Sequence, residues 1–301
     1  MPITDIVCAA AVAGALADRF LGHGREPLSS VLPRRIISFF ATALYRGDDS
    51  EDRKKYKGLL LVILVTSIFT GITAAALLLA GRAGVMFLPA RFSILPKLLL
   101  SAFIFYLTVS AGTIRRTAVR INEALRKNGF NEVKAERAVR DLAGSLSSKI
   151  IAPLFFMILG GPVLAVFYKT ADTLRDYTAG SGRFRSFSGA SWFLSEYLEF
   201  IPSRIAALIM LEACFFLKLD TKNALKVYSG YRKKAKGLND GQTVSIAAGA
   251  LGIRFTEDGP AIGERIWNVS PEDVLRISRL CDLTEFLSLI LFCSLRLLIL
   301  S

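Results

Sequence analysis

The stretch from Gly58 to Ala80 contains no charged residue. A helix needs about 20 apolar residues to cross the hydrocarbon core of a bilayer. A soluble protein of this length would instead have shorter apolar runs, each with a polar face. The stretch therefore predicts a transmembrane helix and excludes an ordinary soluble domain for this part of the chain.

Four further apolar runs are candidate spans: residues 95–113, 150–168, 201–217 and 283–300. Polar or helix-breaking residues interrupt them, namely Lys97, Pro153, Gly160-Gly161-Pro162, Arg204, Glu212 and Arg296. Residues 6–16 are too short to span and are interpreted as a retained membrane or interfacial helix. With 52% hydrophobic residues, the pattern predicts an all-α polytopic integral membrane protein. We expect about five to six hydrophobic helices in a single membrane domain over residues 1–301.

Two of the interruptions carry structural expectations. Gly160-Gly161-Pro162 predicts a kink, and it would also permit a re-entrant segment that lines a polar cavity. Glu212 lies within a predicted span, where an unpaired carboxylate is costly. We expect Glu212 to face the interior of the helix bundle, with Arg296 as a candidate partner.

The distribution of basic residues predicts the topology. The chain has 38 Lys and Arg against 25 Asp and Glu, and the basic stretches 19–57, 115–149 and 218–279 alternate with less basic connections. This is the positive-inside pattern of a multi-pass protein in the inner (cytoplasmic) membrane, with helical cytoplasmic loops at about 113–149 and 218–283. No aromatic residues are interleaved with the basic clusters, which argues against nucleic-acid binding.

Local signals predict how these loops are built. Apolar residues at helical spacing predict a helix, a turn at Asn128-Gly129 and a second helix between residues 115 and 146. Ser270-Pro271, followed by two acids, predicts the start of another helix.

The cysteines and the single histidine predict no metal site. Cys8, Cys214, Cys281 and Cys293 are scattered and form no CxxC motif, and His23 is alone. Zinc and iron–sulfur sites need clustered ligands. The cysteines are interpreted as small buried side chains.

Several motifs occur together in this chain. They are Lys57-Gly58 before the long apolar helix, Ala152-Pro153-Leu154-Phe155, Gly160-Gly161-Pro162, Ile201-Pro202-x-Arg204, Asn239-Asp240-Gly241 and the AGALGIR sequence of residues 248–254. The set resembles the membrane-embedded adenosylcobinamide-phosphate synthases (CobD/CbiB-type) of cobalamin (vitamin B12) biosynthesis. Asp18 and Gly22 match a further family motif near the N-terminus, but His23-Gly24 replaces its acid–proline pair.

The resemblance implies a function and a site. The family reaction is ATP-dependent amide formation between adenosylcobyric acid and aminopropanol phosphate, with ATP and Mg²⁺ as cofactors if the chain is catalytic. The implied partners are the lipid bilayer, a corrinoid small molecule and other cobalamin-pathway proteins. The substrate-binding candidates that the resemblance carries over are Lys169, Asp172, Thr173, Arg204, Asn239 and Gly241. No catalytic residue is assigned.

The chain departs from the family pattern at acidic positions. The carboxylates and amide expected before the Ala-Pro motif are replaced, the aligned residues being Arg140, Asp141, Ala143, Gly144, Ser145, Ser148 and Lys149. Asp172 stands where Asn is usual, Arg175 where Asp is usual and Val244 where Glu is usual. An alternative function follows: a non-catalytic, degenerate relative acting as a membrane binding or regulatory protein.

Each site candidate also has a simpler explanation that involves no function. Asp172 to Arg185 is either an active-site loop or a solvated connection. Lys169 and Arg204 either bind phosphate or mark membrane boundaries by snorkelling. Asp172, Asp176 and Asp240 could bind one metal ion between them, although their spacing does not require it, and no Walker A loop supplies a nucleotide site.

Overall fold

The computed structural model describes residues 3–21, 28–127, 129–180, 184, 187–235, 237–256 and 259–300. Over these residues the fold is all-α, as predicted, and the pairing of Phe255 with Ile262 is an isolated bridge. The helices are α1 (Ile3–Phe20), α2 (Leu28–Leu44), α3 (Glu51–Phe87), α4 (Leu95–Thr108), α5 (Ala111–Lys127), α6 (Glu132–Leu146), α7 (Ala152–Ala179), α8 (Gly189–Phe216), α9 (Thr221–Tyr231), α10 (Asp240–Leu251) and α11 (Pro271–Leu300).

Three helical stretches of the described chain are long and apolar enough to cross a membrane. They are Glu51–Phe87, Ala90–Lys127 and Glu132–Ala179. They contain the predicted spans 58–80, 95–113 and 150–168. The predicted spans 201–217 and 283–300 fall in α8 and α11, which are not among the three, so the expected total of five to six stays a prediction.

The long helix α3 begins where its sequence favours a helix start. Ser50 is the N-cap, and its hydroxyl oxygen accepts a hydrogen bond from the Arg53 amide at 3.4 Å. Glu51 and Asp52 follow in the first turn, where negative charge is stabilised by the helix dipole. These signals explain why the helix begins before the uncharged run.

The predicted starts and turns of the loop helices are confirmed. α5 and α6 form the expected helix pair, and Gly129 between them has a φ of 84°. α11 begins at Pro271, and the Asp273 carboxylate accepts hydrogen bonds from both the amide and the hydroxyl of Ser270 at 2.9 Å. Asn128, Gly22, His23 and Gly24 lie outside the described residues.

The chain forms two compact units. The first contains residues 1–109, 153–198 and 293–301, and the second contains residues 110–152 and 199–292. The core of the first unit includes Leu61, Leu174 and Phe187, all fully buried. In the second unit, α10 is a buried helix: every residue from Gly241 to Leu251 is buried.

The helical hydrogen bonding of α7 is broken at the predicted kink. Gly160 (φ −137°, ψ 18°) and Gly161 (φ 73°, ψ −165°) leave the helical region, and the conformation of Gly161 is one that essentially only glycine adopts. Pro162 has no N–H, so the carbonyl four residues earlier, at Ile158, loses its helical donor. The guanidinium of Arg296 on α11 donates to this Ile158 carbonyl instead.

Two expectations were wrong. The polar segment after Lys169 is helical as far as Ala179 rather than a loop, because its charges pair one turn apart along the helix. Residues 181–183 and 185–186 of the proposed loop lie outside the described part of the chain. Glu212 is exposed rather than turned inward, and Arg296, its candidate partner, is engaged with a backbone carbonyl.

We expect single cysteines introduced between Gly58 and Ala80, in a background with the native cysteines changed to Ala, to resist a membrane-impermeant thiol reagent in native vesicles. Cysteines at Asp52 and Tyr56, both exposed, are the positive controls at the end of the same helix. Labelling at several consecutive positions within Gly58–Ala80 would contradict the membrane span.

We expect Arg296→Leu to lower the free energy of unfolding by about 1–3 kcal/mol, because the Ile158 carbonyl then has no donor. Arg296→Lys keeps a donor and should cost less. Thermal unfolding of the purified protein in detergent measures both, with Arg91→Leu at an exposed site as the control. Equal stability of the Arg296→Leu variant and wild type would show that this contact contributes nothing.

Candidate functional site

Three of the six predicted site residues lie on one stretch of α7 in the first unit. Lys169, Asp172 and Thr173 follow the helix break and are all buried, with Asp172 only 1% exposed. Lys169, Asp172 and Arg175 are spaced three residues apart, so they share one helix face. The helix, not a loop, therefore holds this cluster.

The Asp172 carboxylate is paired with two cations. Its Oδ1 lies 2.9 Å from Nη2 of Arg175, and its Oδ2 lies 3.8 Å from Nζ of Lys169. Arg175 also lies 3.7 Å from Oδ1 of Asp176. The Thr173 hydroxyl donates to the Lys169 carbonyl at 2.8 Å. This arrangement explains the burial of Asp172, because a buried carboxylate needs partners.

The other three predicted residues lie in the second unit. Asn239 is 1% exposed, and its Oδ1 accepts hydrogen bonds from Oγ of Ser203 at 3.0 Å and from Nη1 of Arg204 at 3.1 Å. Arg204 also donates to the Phe200 carbonyl and to the Ser203 hydroxyl. Its guanidinium carbon lies 3.4 Å from the centroid of the Phe200 ring. The structure thus places Arg204 and Asn239, two of the candidate residues, in direct contact.

The guanidinium of Arg204 keeps an edge for a ligand. Its hydrogen bonds within the described residues are all made through Nη1. No carboxylate in that part of the chain forms a salt bridge with it. The side chain is only half-buried. Arg can bind carboxylate or phosphate through two parallel hydrogen bonds, so the remaining edge is suited to an anion.

Gly241 has a packing role. A Cβ atom at this position would lie 2.1 Å from the Arg232 carbonyl oxygen, so only glycine permits the close approach of α10 to the end of α9. Tyr228 on α9 donates to Oε1 of Gln242 at 3.0 Å. The contact also places Arg232 beside the N-terminus of α10, a position that sequence reasoning did not identify.

The N-terminus of α10 is a positively polarised region of the second unit. Asn239 is its N-cap residue but makes no side-chain capping bond, because its oxygen is engaged with Ser203 and Arg204. Helix N-termini favour anions, and Arg204 and Arg232 add positive charge. Asp240, in the first turn, is exposed. The region can therefore bind an anion, but it holds no cluster of acidic side chains among the described residues.

Carboxylates that could hold a metal ion are not clustered in the described residues. No group of three or more His, Cys, Asp or Glu side chains there could bind one. Asp172 is paired with Lys169 and Arg175, and Asp240 belongs to the other unit. The described residues do not fit a Mg²⁺ ion held by a cluster of protein carboxylates.

Comparison with known proteins shows which family this chain is similar to. The family model described as CobD/Cbib protein matches residues 135–280. "Cobalamin biosynthesis protein CobD" of Clostridium perfringens is 29% identical over 176 residues, which are 54% of this chain and 55% of the relative. Over this region the chain is similar to the CobD/CbiB family.

Other CobD/CbiB relatives align over more of the chain. "Cobalamin biosynthesis protein CobD" of Pelobacter propionicus is 29% identical over 80% of this chain and 77% of the relative. "Cobalamin biosynthesis protein CbiB" of Salmonella typhi is 25% identical over 87% of this chain and 88% of the relative. In the matches to the Clostridium and Listeria proteins, however, this chain spans only about half of the relative's length. No solved structure matches.

Two positions at which this chain departs from the CobD/CbiB pattern meet in the second unit. A Cβ atom at Gly144 would lie 3.6 Å from Cγ2 of Val244, and the resemblance implies an acidic side chain at both positions. Here the contact is apolar. The buried acid nearby in sequence, Glu136, accepts hydrogen bonds from the amide and hydroxyl of Thr256, which sequence reasoning missed because the partners are 120 residues apart.

We expect Asp172→Asn to destabilise the protein by about 3–5 kcal/mol, because it removes the buried carboxylate that pairs with both Lys169 and Arg175. Asp176→Asn is the matched control, since the Asp176 side chain is 36% exposed and an exposed pair is worth about 1 kcal/mol or less. Unfolding monitored by circular dichroism in detergent measures both. If Asp172→Asn unfolds like wild type, Asp172 has no structural role.

Proposed function

We propose that this chain acts in cobalamin biosynthesis as a multi-pass protein of the inner membrane that binds an anionic corrinoid intermediate. The similarity to this family supports the pathway, since the relatives are cobalamin biosynthesis proteins. The observation that carries the binding role is Arg204, which Asn239 and Ser203 hold in place while one edge of its guanidinium remains open. Corrinoid intermediates carry carboxylates, and aminopropanol phosphate carries a phosphate.

The chemical role of the chain's own residues is to bind and orient. Asn239 fixes the direction of the guanidinium, and the Phe200 ring covers one of its faces. Partial removal of water strengthens the attraction between the guanidinium and an anion. Two charge-assisted hydrogen bonds from one planar group would also fix the orientation of the bound carboxylate or phosphate.

Two versions of this function differ in catalysis. The first is ATP-dependent amide formation between adenosylcobyric acid and aminopropanol phosphate, as in adenosylcobinamide-phosphate synthases, with other pathway proteins as partners. The second is binding or regulation without catalysis. The apolar contact of Gly144 and Val244 favours the second version, because that contact occupies positions at which the family pattern has acids. We therefore propose binding without amide formation as the function.

The two versions are separated by assaying the purified protein with adenosylcobyric acid, aminopropanol phosphate, ATP and Mg²⁺. Binding is followed by the corrinoid absorption spectrum and product by mass spectrometry, with an intact CobD relative as the positive control. We expect saturable corrinoid binding and no amide product. Amide product at a rate comparable to the relative would contradict the non-catalytic version, and the absence of corrinoid binding would contradict both.

We expect Arg204→Lys to weaken corrinoid binding by about ten-fold, which corresponds to about 1.4 kcal/mol, because the charge stays but the planar fork is lost. Membrane insertion and protein level should not change. Arg254→Lys is the matched control, since Arg254 is an exposed arginine of the same unit. If Arg204→Lys binds as tightly as wild type, Arg204 only anchors the end of its helix.

A further inference from the structure

A second candidate ligand site lies at the helix break, in the first unit. A cavity of about 400 Å³ adjoins Gly160, Gly161 and Pro162 and is walled mainly by apolar side chains, among them Ile6, Val7, Leu77 and Leu78. The walls come from α1, α3, α4, α7 and α11. The α3 wall belongs to the uncharged run that predicts a membrane span.

Among the described residues, two cations and no acid line this cavity. Lys97 of α4 and Arg296 of α11 are the charged residues of the lining. Within the described part of the chain, neither forms a salt bridge. Ser101, which also lines the cavity, donates its hydroxyl proton to the Lys97 carbonyl at 2.7 Å. Two uncompensated positive charges in apolar surroundings are unfavourable, and a bound anion would offset this cost.

Arg296 retains hydrogen-bonding capacity toward the cavity. Its Nη1 donates to the Ile158 carbonyl, while its buried Nε has no acceptor among the described residues. A buried donor of a charged group that lacks an acceptor is costly, and an anionic oxygen would supply one. The fixed guanidinium is therefore oriented before any ligand binds.

The apolar wall indicates the kind of anion. Leu78 lines the cavity, yet it is 69% exposed, so the cavity adjoins the exposed apolar face of α3. A small hydrophilic anion would gain nothing from that face, whereas an acyl chain would bury apolar area against it. We propose that the cavity binds the anionic headgroup of a lipid, with Lys97 and Arg296 on the headgroup and an acyl chain along the Leu78 face of α3.

The test titrates the purified full-length protein, in a neutral detergent, with short-chain phosphatidylglycerol, short-chain phosphatidylcholine and inorganic phosphate. We expect saturable binding of phosphatidylglycerol only. Lys97→Gln should weaken it by about ten-fold, the equivalent of about 1.4 kcal/mol. Thermal unfolding should show a rise in midpoint with phosphatidylglycerol that is smaller in Lys97→Gln.

The protein carries a formal net charge of +13, so any anionic lipid is attracted without a specific site. Arg91→Gln is the matched control, because it removes one charge from an exposed residue close in sequence to Lys97. Arg296→Lys tests the second cation while keeping a donor for Ile158. The proposal is overturned if Arg91→Gln weakens binding as much as Lys97→Gln does, if phosphatidylcholine binds equally well, or if inorganic phosphate binds as tightly as phosphatidylglycerol.

Discussion

Backbone N–H and C=O groups in apolar surroundings have to be hydrogen-bonded within the chain, and this constraint connects the main features of the first unit. Helical hydrogen bonds satisfy it along α7 up to the point where Gly160, Gly161 and Pro162 interrupt the helix. The missing donor at Pro162 is replaced by Arg296, so a permanent cation enters an apolar region. A second cation, Lys97, lines the same cavity, and a bound anion would offset the cost of holding these charges in apolar surroundings.

The second unit depends on a different constraint, namely that the backbones of two helices approach each other closely. Gly241 and Gly249 of α10 lie against the backbone of α9, and a Cβ atom at Gly249 would be 2.6 Å from Cα of Ala224. In the AGALGIR block, which carries much of the family resemblance, residues 248–253 are buried and Arg254 is exposed. The block therefore bears on the fold, and function has to be argued from side chains such as Arg204 and Asn239.

The sequence predicted those features that have short-range causes. The kink at Gly160-Gly161-Pro162 was predicted from the chemistry of glycine and proline, whereas the hydrogen bond between Arg204 and Asn239, which are 35 residues apart, was not. The helical state of the segment after Lys169 was missed, because polar composition suggested a loop while three-residue spacing of opposite charges stabilises a helix. Glu212 was misplaced because the exposed face of its helix is itself apolar: Leu208 and Phe215, four residues before and three after Glu212, lie on the same face and are exposed, so periodicity could not identify the buried face.

Most departures from the family pattern remove negative charge, and Asp172, which stands where Asn is usual, is the exception. Arg175 replaces an acid and pairs with Asp172, so the remaining carboxylate at this position is neutralised. Gly144 and Val244 replace two further acids and leave an apolar contact. Within the second unit, a site that lacks acids at Gly144 and Val244 and keeps Arg204 is electrostatically better suited to an anion than to a divalent cation. Because ATP-dependent acyl transfer needs such a cation while recognition of a corrin carboxylate does not, these substitutions can remove catalysis and leave binding intact.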